Sequence, residues 1–166
     1  LTGVGGQGTV LAAKVLAQAA QAKGWQVRTA ETIGMAQRGG SVVSHVRMGD
    51  NGEEVIAPLV AKGTADMIVA FEPAEAARAE ATIASLDGRL NECAAAPARF
   101  VLVDDEAVLS QVGNRKALNT VLLAFALKTG HLPLSLDDLR DAVRACVKPR
   151  FVELNLAAID LVESKE

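Results

Sequence analysis

The sequence contains no tyrosine, one tryptophan and only four phenylalanines in 166 residues. A core with so few rings must be filled by aliphatic side chains, and its alanine-rich helices must pack closely. Cysteine is nearly as scarce. Cys93 and Cys146 have no metal-ligand spacing, and two thiols are too few for the four that hold an iron–sulfur cluster. Both are expected to be buried core thiols in a reducing compartment, the cytoplasm. A basic excess is also lacking. The net charge of −3 excludes a general nucleic-acid binder, which needs a cationic face to neutralise phosphates. No apolar run approaches the ~20 residues that cross a bilayer, and no leader pattern opens the sequence. Leu1–Val4 reads as the end of a strand, so residues are expected to precede it. A G-x-S-x-G elbow is absent, and no residues form a defensible general acid–base pair or metal site. The expected catalytic and metal-ligand sets are therefore empty.

The residues that are present alternate between strand and helix patterns. Leu1–Val4 predicts a buried strand running into the turn Gly5-Gly6-Gln7-Gly8. A helix over about Thr9–Lys23 carries Ala12, Val15, Leu16, Ala19 and Ala20 on one stripe, and Gly24 stops it. Gln26–Thr29 follows as a short strand, completing a βαβ unit with a parallel pair. Glu31–Gly40 reads as a loop. Ser41–Met48 reads as a strand with Val42, Val46 and Met48 on one face and Ser41, His45 and Arg47 on the other. Gly49-Asp50-Asn51-Gly52 then predicts a hairpin turn with Glu54–Ile56 as its return limb. The same four residues superficially match a thiamine-diphosphate motif but lack the spacing to a following Asn pair. Asp66–Phe71 and Arg99–Val103 read as further strands. Helices are expected at Glu72–Leu86, Ala117–Thr129, after a Ser135/Asp138 capping box, and at Phe151–Val162 beyond Pro149. The expected fold is α/β: a single domain over residues 1–166, three-layer and Rossmann-like, with a mostly parallel sheet and an added antiparallel hairpin.

Two stretches suit ligand chemistry. Gly3-Val4-Gly5-Gly6-Gln7-Gly8 contains G-x-G-x-x-G between a strand and a helix, where backbone N–H groups and the positive helix end favour phosphate. Glu31 lies about 20 residues beyond it, where a dinucleotide enzyme places its ribose carboxylate. The turn reads equally as a tight strand–helix connection that binds nothing. The second stretch, Gln37-Arg38-Gly39-Gly40-Ser41, is a donor-rich loop suited to a phosphate, a carboxylate or a partner protein. For His45 the plainer reading is a hydrogen-bonded structural histidine. For Arg47 it is a weak surface ion pair, and for His131 an exposed loop position.

Taken together, the glycine turn, the alanine-rich helix and Ile33-Gly34-Met35-Ala36-Gln37-Arg38-Gly39-Gly40-Ser41-Val42-Val43-Ser44-His45-Val46-Arg47 resemble the gamma domain of 2-oxoacid:ferredoxin oxidoreductases. The Met-Ala-Gln-Arg-Gly-Gly form is most similar to the indolepyruvate oxidoreductase beta subunit. The resemblance continues through Asp66–Ala76, Gly113–Thr120 and Val152–Leu156. It implies a non-catalytic small subunit, inactive alone, of an enzyme oxidising indolepyruvate or another aryl pyruvate. A larger partner would carry thiamine diphosphate and [4Fe-4S] clusters and pass electrons to ferredoxin, and coenzyme A would accept the acyl group. The gamma-type domain would contribute assembly and, as in related enzymes, coenzyme A docking, with Gly5, Gly6, Gln7, Gly8, Gln37, Arg38, Gly39, Gly40 and Ser41 as its binding residues. Between about Thr82 and Asn91 the Gly-led apolar strand of the family is absent, so a missing segment is expected there. Two other readings stay open: a stand-alone Rossmann-type dinucleotide-binding protein, and a purely structural assembly module.

Overall fold

The computed structural model describes residues 1–33, 39–50, 52–61, 64–72, 74–76 and 105–165. Strands β1 (Thr2–Val4), β2 (Gln26–Ile33) and β3 (Ser41–Gly49) form a sheet in the order β1-β3-β2. Helix α1 (Thr9–Ala22) connects β1 to β2. The C-terminal part is helical: α2 (Asp105–Val112), a 3₁₀ turn at Arg115–Ala117, α3 (Leu118–Lys128), α4 (Leu136–Cys146) and α5 (Pro149–Glu163).

The sheet corrects the expected topology. β1 and β2 run in the same direction, as a βαβ unit requires, but they are not neighbours. β3 lies between them and is antiparallel to both, with Gly3 opposite Val42 on one edge and Ile33 opposite Val42 on the other. The described sheet is therefore antiparallel rather than mostly parallel. A parallel bridge does join Thr2 to Ala70, where Thr2 N donates to Val69 O and Phe71 N to Thr2 O. The added hairpin is also misplaced. It is formed by β2 and β3, because β2 continues to Ile33 instead of ending at Thr29. The turn after β3 does close, with Glu53 N donating to Asp50 O at 2.8 Å. Residues 53–57 cannot return as a strand, since β3 already has a neighbour on each edge.

Strand alternation sets the two faces. Val27, Val46 and Met48 face α1, where they pack with Ala17, Ala20 and Trp25. The opposite face holds residues 55–60 by side chains rather than by a backbone ladder. Gln26 Oε1 accepts from Val55 N, His45 Nδ1 accepts from Val60 N, and Arg47 Nη1 donates to Ala57 O.

Helix α1 follows its sequence pattern. Ala12, Val15, Leu16, Ala19 and Ala20 are all buried, and the helix gives way at Gly24. It packs against β2 and β3 on one side and against α3 and α4 on the other, an approach the alanines allow. The main core is aliphatic, built around Leu123, Leu139, Val143, Ile159 and Val162. The Ser135/Asp138 capping box forms, and Pro149 occupies the first turn of α5. Burial alone would raise the Asp138 carboxyl pKa. Hydrogen bonds from the Ser135 backbone and hydroxyl, with Lys23 nearby, outweigh it and lower the value. Helix α2 was not anticipated from the sequence. Cys146 is half-buried rather than fully buried, and burial raises its thiol pKa. Cys93, the expected strand at Arg99–Val103, most of the expected helix after Glu72 and the Thr82–Asn91 stretch lie outside the described residues. No helix among the described residues is long and apolar enough to cross a membrane.

Candidate functional site

The glycine turn emerges where β1 ends, at the same end of the sheet as the β2–β3 connection. The two loops meet through the backbone: Gly5 N donates to Gly40 O at 3.0 Å. Each glycine of the turn has its own reason. A Cβ on Gly3 would lie 2.8 Å from Gln7 Oε1, 2.9 Å from Thr9 Cγ2 and 3.0 Å from Phe71 Cβ, so crowding requires glycine there. Gly8 caps α1 at φ 87°, in the left-handed region that glycine enters at no steric cost. It supplies no side-chain cap, and no acidic residue occupies the first turn of α1. The positive end of α1 is thus left without a carboxylate of its own.

Two predicted site residues already have polar partners. Gln7 Oε1 accepts from Val4 N at 2.8 Å, and Gln7 Nε2 donates to Glu72 Oε1 at 2.5 Å. The Ser41 hydroxyl donates to Glu75 Oε2 at 2.6 Å, and Glu75 is itself buried. The junction of the two loops is therefore pinned by carboxyl groups on its Ser41 side. Gly39 and Gly40 are described; Gln37 and Arg38 lie outside the described residues.

The cationic side of the turn is elsewhere. An open groove of about 520 Å³ runs between Gly6–Gly8 and the segment Asn114–Asn119. Asn114 sets its geometry by accepting from Lys116 N at 2.9 Å, which starts the 3₁₀ turn leading into α3. Lys116 Nζ lies 5.1 Å from the centre of the Phe151 ring, a cation–π contact that fixes the side chain. Arg115, Lys116 and Asn119 line this groove and were not among the residues expected at the site. No spacing pattern ties them to a glycine turn so far upstream, although the run Gly113-Asn114-Arg115-Lys116 before a helix was visible.

The secondary candidates resolve as follows. His45 is a structural histidine: its Nδ1 accepts from Val60 N, and burial lowers its pKa. Arg47 bonds to a backbone carbonyl instead of a carboxylate. His131 is exposed, as expected. Glu31 lies on β2, with β3 between it and β1. It is therefore two strand spacings from β1, about 10 Å, where a dinucleotide fold would have one.

Comparison with known proteins places this geometry. The family model for pyruvate ferredoxin/flavodoxin oxidoreductase matches residues 1–162. The chain is 33% identical to indolepyruvate oxidoreductase subunit IorB of Archaeoglobus fulgidus, over 97% of this chain and 90% of the relative. It is 35% identical to the subunit of the same name from Pyrococcus horikoshii, over 97% and 91%. These alignments run over 186 and 188 positions, more than the chain's 166 residues, so the relatives carry segments with no counterpart here. The fold is similar to the gamma subunit of a keto/oxoacid ferredoxin oxidoreductase from Geobacter sulfurreducens PCA. That similarity has a TM-score of 0.65 at 22% identity, and covers 97% of this chain and 92% of the other. The chain belongs to the pyruvate ferredoxin/flavodoxin oxidoreductase family, as a small subunit of a 2-oxoacid:ferredoxin oxidoreductase.

Proposed function

We propose that this single-domain subunit is non-catalytic and serves a larger partner that carries thiamine diphosphate and [4Fe-4S] clusters. The partner decarboxylates indolepyruvate or another aryl pyruvate and passes electrons to ferredoxin in the cytoplasm, while this subunit supports assembly and docks coenzyme A. The observation that carries the reading is the near-complete coverage of relatives named as indolepyruvate oxidoreductase subunits. The donor set fits such a division of labour. Two cysteines cannot supply the four thiolates of a cluster. The glycine turn at the open end of α1 suits the phosphates of coenzyme A. Arg38, on the adjoining loop, would add a charge-assisted bond.

The test is co-purification and assay. Tagged chain expressed with its genomic neighbours should bring down a larger polypeptide containing iron and thiamine diphosphate. The isolated chain should be colourless and should not oxidise 2-oxoacids. An iron–sulfur spectrum or 2-oxoacid oxidation from this chain alone overturns the reading. In the assembled enzyme, Arg38→Ala should raise the KM for coenzyme A about ten- to a hundredfold, the worth of one charge-assisted bond. If it instead prevents assembly and leaves coenzyme A binding normal, Arg38 is an interface residue.

A further inference from the structure

We infer that the larger subunit docks on the sheet face opposite α1, through an apolar contact at Ile56 and Leu59 and a carboxylate set between Arg28 and Arg47. The inference rests on the reading that such a subunit exists, and adds where it sits. The two arginines make the argument. Arg28 on β2 lies directly opposite Arg47 on β3, so both side chains leave the same face of the sheet. Like charges directly opposite on neighbouring strands destabilise the pair. Neither arginine has a carboxylate partner among the described residues. Arg28 Nη1 reaches only Val27 O, at 3.4 Å, and Arg47 Nη1 donates to Ala57 O at 3.1 Å. Glu53 and Glu54, at the start of the segment that crosses this face, are exposed and pair with neither. A carboxylate from outside would accept from both guanidinium groups and remove the repulsion. The helical side differs. There Arg140 is bonded to Asp137, Asp160 and Glu163, and Arg144 to Asp141, so those cations are matched within the chain.

Apolar exposure falls on the same side as the arginine pair. Among the described residues the large apolar side chains left exposed are Ile56, Leu59 and Ile68, at 83%, 55% and 40%. Ile56 and Leu59 belong to the strap 55–60, which Gln26, His45 and Arg47 hold over this face, with Val55 buried. Val69 and Phe71, in the segment bonded to Thr2, pack into the main core. Alternation along that extended segment turns Ile68 the other way, toward the strap's side. Three side-chain bonds thus order a strap whose Ile56 points into solvent, which costs entropy and gains nothing from burial in the isolated chain. Arg47 joins the two features, since the guanidinium that faces Arg28 also donates to the carbonyl next after Ile56. An apolar protein surface edged with Asp or Glu matches both. A second copy of this face offers the same two cations again, so a different chain is the better match.

The experiment measures association of the full chain with the larger subunit encoded beside it, after co-expression. Ile56→Ser/Leu59→Ser and, separately, Arg28→Glu change only exposed side chains, so the isolated variants should keep the original denaturation midpoint. Each should weaken association at least tenfold. Asp141→Asn/Arg144→Gln on α4 should leave it unchanged. Association of the original chain should weaken as salt rises, and that of Arg28→Glu should respond less. In the complex, hydrogen exchange at the Ile56, Ala57 and Leu59 amides should slow. If both strap and arginine variants bind as tightly as the original, or the α4 variant weakens binding equally, this surface is overturned while the subunit reading stands. If the original chain brings down no larger subunit, that reading falls and takes this surface with it. If Ile56→Ser/Leu59→Ser converts a dimer of the isolated chain into a monomer, a second copy occupies the face and the assignment to the larger subunit is overturned.

Discussion

Gly3→Ala tests whether the first glycine of the turn is fixed by packing. The added methyl would meet three atoms at 2.8, 2.9 and 3.0 Å, all nearer than a carbon normally approaches. None can withdraw easily. Gln7 Oε1 is held by Val4 N, and the other end of that amide is held by Glu72. Thr9 and Phe71 are buried. Overpacking a rigid site costs about 1–3 kcal/mol, and with all three neighbours pinned we expect the upper half, ~2–3 kcal/mol. With a slope of roughly 2 kcal/mol/M, the urea midpoint should fall by about 1 M or more. The diagnostic is Thr9→Ser, which deletes the Cγ2 atom at 2.9 Å. Alone it should destabilise slightly by removing a buried methyl; combined with Gly3→Ala it should restore stability. The double-mutant cycle should therefore show a favourable coupling of at least ~0.5 kcal/mol. Strict additivity, or a Gly3→Ala midpoint unchanged from the original, would refute the packing argument.

Three further outcomes follow from local geometry. Ser135→Ala removes the hydroxyl that accepts from Asp138 N in the α4 capping box and should cost about 1 kcal/mol, seen as a lower denaturation midpoint. Thr120→Val takes the donor from Asn155 Oδ1 in a buried bond of 2.5 Å and should cost ~1–3 kcal/mol in thermal denaturation; Thr120→Val/Asn155→Leu should recover part of it, because no polar atom is then left unpaired. His45 has a folded pKa below its unfolded value of about 6.5, so its contribution is fully present above that pH and is lost as pH falls toward the folded pKa. Protonation turns Nδ1 into a donor facing Val60 N–H. The hydrogen-exchange protection factor of Val60 should drop on acidification through that window, and the drop should vanish in His45→Gln. An unchanged protection factor would mean the imidazole does not hold this segment.

Much of the helical framework was legible because its determinants are local. The α1 stripe, the Ser135/Asp138 box and Pro149 each act within a turn or two of their own residues, and each appears in place. Helix α2 was not legible. It spans only eight residues, and its strongest burial falls on the adjacent pair Val108 and Leu109, which no 3.6-residue period singles out. Strand pairing failed for a different reason. Alternation correctly placed Val42, Val46 and Met48 on one face, but a face does not name a neighbour. Nothing in β1, α1 or β2 announces that a later strand will enter between them. Once it does, the parallel pair, the hairpin return and the ribose position of Glu31 all change together.

The glycine turn shows the same limit at the scale of a site. G-x-G-x-x-G was visible, but it does not by itself specify a dinucleotide. Here Gly3 answers to three crowded side-chain atoms, and Gly8 to a left-handed helix cap beside Asn119. What distinguishes the two sides of the turn is charge brought from distant parts of the chain. Glu72 and Glu75 close the side facing Ser41, while Arg115 and Lys116 flank the groove on the other. A sequence reading that ranks nearby donors selects Gln7 and Ser41, the two side chains that the fold has already bonded to carboxyl groups. The cations of the groove arrive with α3, through a tertiary contact that local spacing does not encode.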